Sequence, residues 1–342
     1  GRHWAFPGLN AVMADDRPYT HPFATLEPAL LLDMVEAAGV RADGRLLALN
    51  SYENRVYQVG VEADAPMILK AYRPGRWSDA AIREEHAFAR QLADHDIPVV
   101  PPLSFNGETL HHAAGYRFAL YPRRGGHAPE LDDPATREWL GRLLGRLHNV
   151  GAAGRFRLRP VIDAAVTARQ HRDWLLEACW IPQALVARYQ SVTETLFKGI
   201  GQRFADAGAV APVRLHGDFH PGNILWTDAG PHLVDLDDCC TGPAIQDIWM
   251  MLSGDRRERT IQLGDLIAGY EQFRAFDPRE LHLLEALRTL RIVNYAAWLA
   301  RRWADPAFPA TFTWFGDERY WEEHLMALAE QIEALEAPVL AV

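Results

Sequence analysis

Two apolar segments separated by a polar loop, in the second half of the chain, limit the folds that this sequence can adopt. Residues 213–226 read Val-Arg-Leu-His-Gly-Asp-Phe-His-Pro-Gly-Asn-Ile-Leu-Trp, which predicts a strand, a loop with Asp218 and Asn223, and a second strand. A further apolar strand follows, and it ends in Asp235. Because neighbouring strand ends can deliver side chains to one place, we expect Asp218, Asn223 and Asp235 to share a site.

These three side chains suit a phosphoryl transfer assisted by Mg²⁺. The carboxylate of Asp235 and the amide oxygen of Asn223 are hard ligands, which Mg²⁺ prefers. A carboxylate beside the metal, but not bound to it, can orient an attacking hydroxyl and accept its proton, and Asp218 is our candidate for this catalytic base. Gly-Asp and Pro-Gly-Asn are also common in ordinary turns. The combination of strand, loop, strand and acidic strand end favours the functional interpretation.

Asp235 has a competing interpretation. An apolar strand that ends in Asp-x-Asp also begins the phosphatases that form an aspartyl-phosphate, in which the first aspartate is the nucleophile. In this chain Asp235 and Asp237 are followed by Asp238-Cys239-Cys240, without the hydroxyl residue usual in that motif, and the pair lies late in the sequence. We therefore rank the phosphatase interpretation second.

Two histidines and one further acid near the loop also have two interpretations each. His216 and His220 flank Asp218 and are potential zinc ligands. We favour a loop-orienting hydrogen bond for His216 and a place near the phosphates for His220. Asp247 is either a helix cap or a buried acid that braces the loop, and we favour the brace.

The order of predicted elements divides the chain into a strand-rich part and a helical part. The first contains a helix at 26–39, an antiparallel meander of strands at 45–49, 55–59 and 66–72, a helix from Ser78 to about residue 96, and strands at 99–103, 109–110 and 116–121. The second contains helical stretches at 134–150, 160–206, 248–252, 261–273, 278–304 and 320–335. Residues 122–126, Pro-Arg-Arg-Gly-Gly, are typical of a hinge between them.

This division predicts an α+β fold with two lobes. We expect a small antiparallel sheet with one interposed helix in an N-terminal lobe over residues 25–121, and a larger, mainly helical C-terminal lobe over residues 122–342. Residues 1–24 are expected to form an N-terminal extension.

Lys70 closes the third predicted strand and precedes a helix that carries Glu84 and Glu85. A lysine at a strand edge can simply extend its amine into solvent. A strand lysine that neutralises the α and β phosphates of ATP, held by a helix carboxylate, is what phosphoryl transfer uses in protein-kinase folds. We choose Glu85 as the partner, and Glu84 is almost as good a candidate.

Residues 50–54, Asn-Ser-Tyr-Glu-Asn, stand where such a fold has a glycine-rich phosphate loop, yet they contain no glycine. If this turn covers ATP, backbone N–H groups and the Ser51 hydroxyl would make the phosphate contacts. An ordinary polar hairpin turn is the plainer alternative. The sequence contains neither a Walker motif nor a dinucleotide-binding glycine motif.

Composition narrows the class of partner. The chain has 342 residues, 49% of them hydrophobic, which is enough to bury the cores of two lobes. Its net charge of −10 argues against nucleic acid or an anionic membrane as the main partner. No apolar stretch is long enough to span a membrane, and residues 1–7 lack a basic segment followed by an apolar run, so we expect neither a membrane span nor export. The three cysteines cannot build a disulfide framework. We expect a globular cytoplasmic protein, and a monomer, although no local pattern bears on oligomeric state.

The motif His-Gly-Asp-x-His-x-x-Asn at 216–223, followed by Val-Asp-x-Asp-Asp at 234–238, resembles the aminoglycoside phosphotransferase and choline kinase branch of the protein-kinase-like superfamily. Segments 49–58, 70–77 and 301–309 closely resemble the bacterial stress response kinase A family. The resemblance extends from about residue 25 to the C-terminus. It implies a bilobal kinase fold and ATP-dependent phosphorylation of serine or threonine in proteins, including the kinase itself, in the cytoplasm during stress.

The resemblance also assigns roles by position. It implies that Asp218 is the catalytic base and that Asn223 and Asp235 bind Mg²⁺. The candidate ATP-binding residues are Ser51, Lys70, Glu85, Tyr121 and Arg123, with adenine near residues 121–123. For residues 301–309 we expect a role in shaping the acceptor side.

Two other functions are weighed against the protein kinase. A small-molecule kinase would use the same ATP and Mg²⁺ machinery on an amino alcohol, a sugar or an antibiotic. Acidic residues in its acceptor pocket would favour a cationic acceptor, whereas an open groove would favour a peptide. A non-catalytic nucleotide-binding module is the third possibility, but a decayed kinase usually loses one of the residues Lys70, Asp218, Asn223 and Asp235, and all four are present.

Overall fold

The N-terminal lobe is built on a five-stranded antiparallel sheet. A computed structural model describes residues 21–342, so the predicted N-terminal extension, residues 1–24, lies largely outside the described residues. The strands are β1 (Ala42–Ala48), β2 (Arg55–Val61), β3 (Met67–Ala71), β4 (His111–Ala113) and β5 (Tyr116–Pro122), and their spatial order is 1-2-3-5-4. The predicted antiparallel meander is confirmed. Its register places Lys70 between Val56 on β2 and Ala119 on β5.

Two helices flank this sheet on different sides. Helix α1 (Pro28–Ala37) buries Leu31, Met34 and Val35 in the apolar cluster of the sheet. Helix α2 (Asp79–Asp94) begins at Ser78, whose hydroxyl accepts the Ala81 N–H at 3.1 Å. Phe88, Ala89 and Leu92 of α2 belong to the main core of the C-terminal lobe, whereas Ala81 and Ile82 pack in a small cluster with residues of the N-terminal lobe. Helix α2 therefore lies wedged between the lobes.

The predicted strand at 99–103 is wrong. Only Val99 pairs there, in a single bridge with Leu233, and residues 109–110 precede β4 instead of forming a strand. Pro101 and Pro102 have no N–H to donate, so this apolar run cannot sustain a hydrogen-bonded ladder.

The C-terminal lobe is mainly helical, as predicted. Its helices are α3 (Pro134–Ala152), α4 (Ala164–Glu177), α5 (Val186–Ala207), α6 (Arg256–Tyr270), α7 (Leu284–Arg301), α8 (Ala307–Thr311) and α9 (Glu318–Glu336). The helix predicted at 248–252 is instead a pair of short 3₁₀ turns, Ala244–Asp247 and Trp249–Met251. Within residues 21–342, no helix combines the length and the apolar character needed to cross a bilayer.

Two small two-stranded antiparallel sheets carry the polar loop of residues 216–223. Strand β6 (Val213–Leu215) pairs with β9 (Cys240–Gly242), and β7 (Ile224–Thr227) pairs with β8 (Gly230–Leu233). The chain passes from β6 through the loop and a 3₁₀ turn into β7. The loop therefore starts and ends on hydrogen-bonded strands, which fix the positions of its side chains.

Helices α3 and α6 approach each other through glycines. A Cβ atom on Gly141 would lie 2.1 Å from the carbonyl oxygen of Leu266, and one on Gly269 would lie 2.1 Å from that of Glu138. Real Cβ atoms do not occupy such positions, so the close crossing requires the glycines. The crossing brings Tyr270, at the end of α6, against His148 of α3.

We expect Gly269→Ala to destabilise the protein by about 2 kcal/mol, because the methyl group would force the α3 and α6 backbones apart. Gly264→Ala, five positions earlier in the same helix, is the matched control. A Cβ there meets nothing within 4 Å, so the helix-propensity gain should raise the free energy of unfolding by about 0.5–1 kcal/mol. Urea denaturation of both variants measures the difference, and equal effects would contradict the crossing described.

Candidate active site

A cavity of about 500 Å³ lies between the two lobes and contains the predicted site. This volume falls in the roughly 300–1,000 Å³ range of small-molecule sites. Its walls include the 50–54 turn, β3, α2, the end of β5 and the polar loop. The predicted residues that line it are Ser51, Lys70, Glu85, Tyr121, Asp218, Asn223 and Asp235.

Asp218 lies buried at the floor of this cavity with both carboxylate oxygens engaged. Arg291 of α7 donates to Oδ1 at 3.1 Å, and the Asn223 amide donates to Oδ2 at 3.2 Å. His220 Nε2 lies 3.3 Å from Oδ2. Burial alone would raise the pKa of Asp218, but His220 and Arg291 outweigh it and hold the pKa below its ordinary value. The carboxylate is therefore ionised, as a proton acceptor must be.

The loop that carries Asp218 is braced from below by Asp247. Its Oδ1 accepts the Gly217 N–H at 2.9 Å, and its Oδ2 accepts the His216 N–H at 3.0 Å and a hydrogen bond from His148 Nε2 at 2.8 Å. The other nitrogen of His148 contacts the Tyr270 hydroxyl at 2.8 Å, and all these groups are buried. The α3–α6 crossing therefore supports the brace.

The zinc interpretation of the flanking histidines does not fit the geometry. His216 Nε2 donates to the Val234 carbonyl at 2.9 Å, and its Nδ1 accepts the Asp218 N–H at 3.2 Å. Both ring nitrogens are thus used, and His216 orients the loop. Among residues 21–342, no group of three or more His, Cys, Asp and Glu side chains has the arrangement of a metal site.

Lys70 is a buried cation surrounded by three carboxylates. Its Nζ lies 3.4 Å from Asp235 Oδ1, 3.5 Å from Asp237 Oδ1 and 3.9 Å from Glu85 Oε1. Burial would lower the pKa of Lys70, but the charges of Asp237, Asp235 and Glu85 raise it well above its ordinary value. Lys70 therefore keeps its positive charge at the cavity wall.

The structure separates the roles of the two glutamates on α2. Glu84 accepts backbone N–H bonds from Arg157, Leu158 and Arg159 at 2.9–3.0 Å, outside the cavity. Glu85 is the one that faces Lys70. Adjacent positions on a helix point in different directions, so only one of the pair can reach the site.

Asn223 and Asp235 present oxygen atoms that suit a hard divalent cation. The Asn223 amide nitrogen donates to the backbone and side-chain oxygens of Asp218, and no hydrogen bond within residues 21–342 uses its amide oxygen. The Asp235 side chain is 51% exposed and lies in the cavity wall. Its backbone is left-handed, with φ of 60°, which turns the chain sharply after β8. The two residues therefore fit the predicted Mg²⁺ site.

The 50–54 turn is held by side chains. Ser51 Oγ accepts the Val56 N–H at 2.9 Å and donates to the Leu49 carbonyl at 3.3 Å, so the hydroxyl shapes the turn from within. Asn54 donates to Asp237 Oδ2 at 3.0 Å and accepts the Arg73 N–H at 3.0 Å. These bonds connect the turn to the acidic strand end below it.

Tyr121 lines the cavity but Arg123 does not. The Tyr121 hydroxyl lies 3.4 Å from that of Tyr72, and burial raises the pKa of Tyr121. Arg123 is exposed and donates to Gln58 at 3.0 Å, while Arg124 lines the cavity instead. Both arginines follow the end of β5 at Pro122, and the structure brings Arg124, but not Arg123, to the cavity wall.

Two arginines contribute to the site without having been predicted. Arg291 contacts Asp218, and Arg76 contacts Asp237 as well as Asp238, the latter at 2.7 Å. Burial would raise the pKa of Asp237, but Lys70 and Arg76 lower it to about 2. Arg76 lies in the quoted 70–77 segment, which was the available signal. Arg291 lies inside a regular helix, where no local pattern distinguishes it.

Residues 301–309 contact the N-terminal lobe. Asp305 binds Arg55 and Arg73 of the N-terminal lobe, and Arg302 binds Glu53 of the 50–54 turn. The segment therefore contacts the 50–54 turn and the strands beside it, and its expected role on the acceptor side stays a prediction.

The proteins that this chain resembles are phosphotransferases, the class of enzyme that the site geometry favours. A family model described as the phosphotransferase enzyme family matches residues 45–284. The chain is 44% identical over 326 residues to a Salmonella choleraesuis protein named Stress response kinase A, covering 95% of this chain and 98% of that protein. It is also 44% identical to a Salmonella typhimurium protein named Serine/threonine protein kinase RdoA, with the same coverage of 95% and 98%.

Solved structures of kinases share the fold. Amicoumacin kinase hAmiN, in complex with AMP-PNP, Ca²⁺ and Ami, has a TM-score of 0.66 at 19% identity, over 87% of this chain and 93% of that chain. A microcompartment-associated aminopropanol kinase has a TM-score of 0.65 at 18% identity, over 91% and 97%. The predicted α+β bilobal kinase-like fold is confirmed.

We expect Asp247→Asn to lower the rate of phosphoryl transfer at least about tenfold, because the amide would turn an N–H group toward the Gly217 or His216 N–H and shift Asp218. Asp265→Asn is the control, since Asp265 pairs with Arg137 on the α3–α6 surface, away from the cavity. Both variants should lose stability, but only Asp247→Asn should lose kcat. Parallel losses of kcat in the two variants would contradict the brace.

Proposed function

Since the chain belongs to the stress response kinase A branch of the phosphotransferase enzyme family, we propose that it is an ATP-dependent kinase of serine and threonine hydroxyls in proteins, its own chain included. The observation that carries the proposal is the convergence of Lys70, Asp218, Asn223 and Asp235 on one interlobe cavity. Sequence relatives at 44% identity that are named Stress response kinase A and Serine/threonine protein kinase support the protein acceptor.

Asp218 acts as the catalytic base in this proposal. Its carboxylate is ionised and fixed by three neighbours, so it can receive an acceptor hydroxyl and take the proton as the oxygen attacks the γ-phosphorus of ATP. The bond to the leaving β-phosphate oxygen breaks as the new oxygen–phosphorus bond forms. The fixed loop contributes mainly by positioning, because phosphoryl transfer needs the two oxygens in line.

The opposite wall of the cavity neutralises the phosphates. Lys70 presents a buried ammonium that Glu85 and Asp237 hold in place, and ATP phosphates would compete with these carboxylates for it. Asn223 and Asp235 would hold Mg²⁺, which supplies charge neutralisation on the transferred group. Tyr121 and Arg124 at the end of β5 would border the adenine.

The charges of the cavity walls favour a protein hydroxyl over a cationic small molecule as the acceptor. Asp237 and Asp238 line the cavity, but Arg76 binds both, and Glu53 is bound by Arg302. Acidic residues that already have arginine partners attract an amino alcohol or aminoglycoside weakly, because the arginines offset part of their negative charge. The small-molecule kinase is the second candidate, favoured by the acceptors named for solved structures that share the fold.

We propose a cytoplasmic site of action. The reaction consumes ATP, which is abundant there. The cysteines Cys179, Cys239 and Cys240 are all free thiols, as a reducing compartment maintains them.

We expect Asp218→Asn to reduce kcat by about 10²–10⁴-fold, because the amide keeps the shape of the side chain but cannot accept the hydroxyl proton. The dissociation constant for AMP-PNP should stay within about twofold of wild type, since the base does not hold the nucleotide. Single-turnover transfer and calorimetric titration measure the two quantities. A large loss of nucleotide affinity with unchanged kcat would show that Asp218 is a binding group and not the base.

Acceptor choice is tested by offering γ-labelled ATP and Mg²⁺ with a Ser/Thr-containing protein, or with a panel of amino alcohols, sugars and aminoglycosides. We expect label on protein, including this chain, and its loss after EDTA or in Asn223→Ala. Label on a small alcohol at rates above those for protein would favour the second candidate. No transfer to any acceptor, with wild type and Asp218→Asn indistinguishable, would leave only a nucleotide-binding module.

A further inference from the structure

We propose that residues 298–308 of the C-terminal lobe position the 50–54 turn for nucleotide binding, with Arg302 and Asp305 as positioning residues. The inference rests on the proposed function, because it treats this turn as a wall of the ATP site. It gives a role to the 301–309 sequence, which no step of phosphoryl transfer uses.

The first contact joins the segment to Glu53 in the turn. Trp298 donates its indole N–H to Glu53 Oε2 at 2.6 Å. Arg302 donates to Oε1 at 2.8 Å and to Oε2 at 3.2 Å. The Glu53 side chain is 10% exposed, and that of Arg302 is 17% exposed. A charged pair so withdrawn from water holds its geometry more firmly than a surface ion pair.

The second contact runs through two arginines of the N-terminal lobe. Asp305 accepts hydrogen bonds from Arg55 at 2.6 and 2.7 Å and from Arg73 at 2.8 Å. Both arginines then donate to the Tyr52 carbonyl, at 2.9 and 3.0 Å, and Arg73 also donates to the Glu53 carbonyl at 2.8 Å. Asp305 therefore orients the donors that fix the backbone of the turn.

The third contact is aromatic. The Tyr52 ring lies 5.1 Å from that of Phe312 and 6.3 Å from that of Phe308. Both phenylalanines belong to the core of the C-terminal lobe, and both also pack against Trp298. The turn is thus anchored to the opposite lobe through backbone, charge and ring contacts together.

The absence of glycine from the sequence of the turn explains why such anchoring matters. A glycine-rich loop can adapt its backbone to the phosphates, whereas Asn-Ser-Tyr-Glu-Asn cannot readily take those conformations. A turn already held in one conformation loses little conformational entropy when the nucleotide binds. Contacts with the C-terminal lobe therefore hold the turn in a conformation for nucleotide binding, which a glycine-rich loop reaches through its backbone flexibility.

The positioning role and the charge of Glu53 predict opposite changes in nucleotide affinity when Glu53 is replaced, which makes the proposal testable. Glu53 lines the cavity, and its negative charge would repel phosphates. Glu53→Gln removes that charge, so electrostatics alone predicts tighter nucleotide binding. Positioning predicts weaker binding, because the amide loses most of its hold on Arg302. We expect the dissociation constant for AMP-PNP with Mg²⁺ to rise about tenfold or more. A tenfold rise corresponds to a loss of roughly 1.4 kcal/mol of binding free energy.

Arg302→Met should raise the same constant and the KM for ATP by a similar factor, with kcat at saturating ATP changed less than about twofold. Arg302→Lys keeps the charge and one donor, so it should recover part of the affinity. The control is Arg137→Met, which breaks a partly buried arginine–carboxylate pair between two helices of the C-terminal lobe. Hydrogen exchange of peptides covering residues 49–56 should speed up in both Arg302 variants and in Glu53→Gln, but not in the control.

Tighter nucleotide binding by Glu53→Gln, or unchanged exchange of residues 49–56 in Arg302→Met, would overturn the proposal. Losses of affinity in Arg302→Met that merely match those of Arg137→Met would overturn it too, since they would report stability alone. If wild type binds no AMP-PNP, the proposed function fails. In that case the exchange data still decide whether residues 298–308 hold the turn.

Discussion

The buried ammonium of Lys70 is the interaction on which the site depends. A charge removed from water is costly unless partners compensate it, and here the partners come from different elements: Glu85 from α2, and Asp235 and Asp237 from the segment after β8. Asp237 in turn needs Arg76, and Arg76 also binds Asp238. Every charge is therefore paired only in one relative arrangement of the N-terminal sheet, helix α2 and the acidic segment after β8.

The sequence predicted those parts of the site that local spacing encodes. Asp218, Asn223 and Asp235 lie on a short loop and an adjacent strand end, so their proximity follows from strand pairing, and the structure brings them to one cavity. The lobes and most helices followed from periodicity. The strand predicted at 99–103 was wrong because apolar character suggests a strand even where two prolines remove the hydrogen-bond donors.

Contacts that depend on tertiary structure could not be predicted in this way. Arg291 reaches Asp218 across 73 positions of sequence, and Arg302 reaches Glu53 across 249. The 301–309 segment was visible as a conspicuous sequence, but no local rule tells which lobe a surface arginine or aspartate will face. Arg123 and Arg124 both follow the last residue of β5, so strand alternation could not show which of them lines the cavity.

Adjacent glutamates on α2 have a consequence for control of the enzyme. Glu84 is bound to the backbone of residues 157–159, Glu85 is bound to Lys70, and the second half of the helix packs in the core of the C-terminal lobe. Many kinases are silenced by swinging the equivalent helix outward so that the lysine loses its partner. Here such a swing would have to break an ion pair, a backbone cap and a packed core at once. Helix α2 is thus held at three places, by the backbone of residues 157–159, by Lys70 and by the core of the C-terminal lobe.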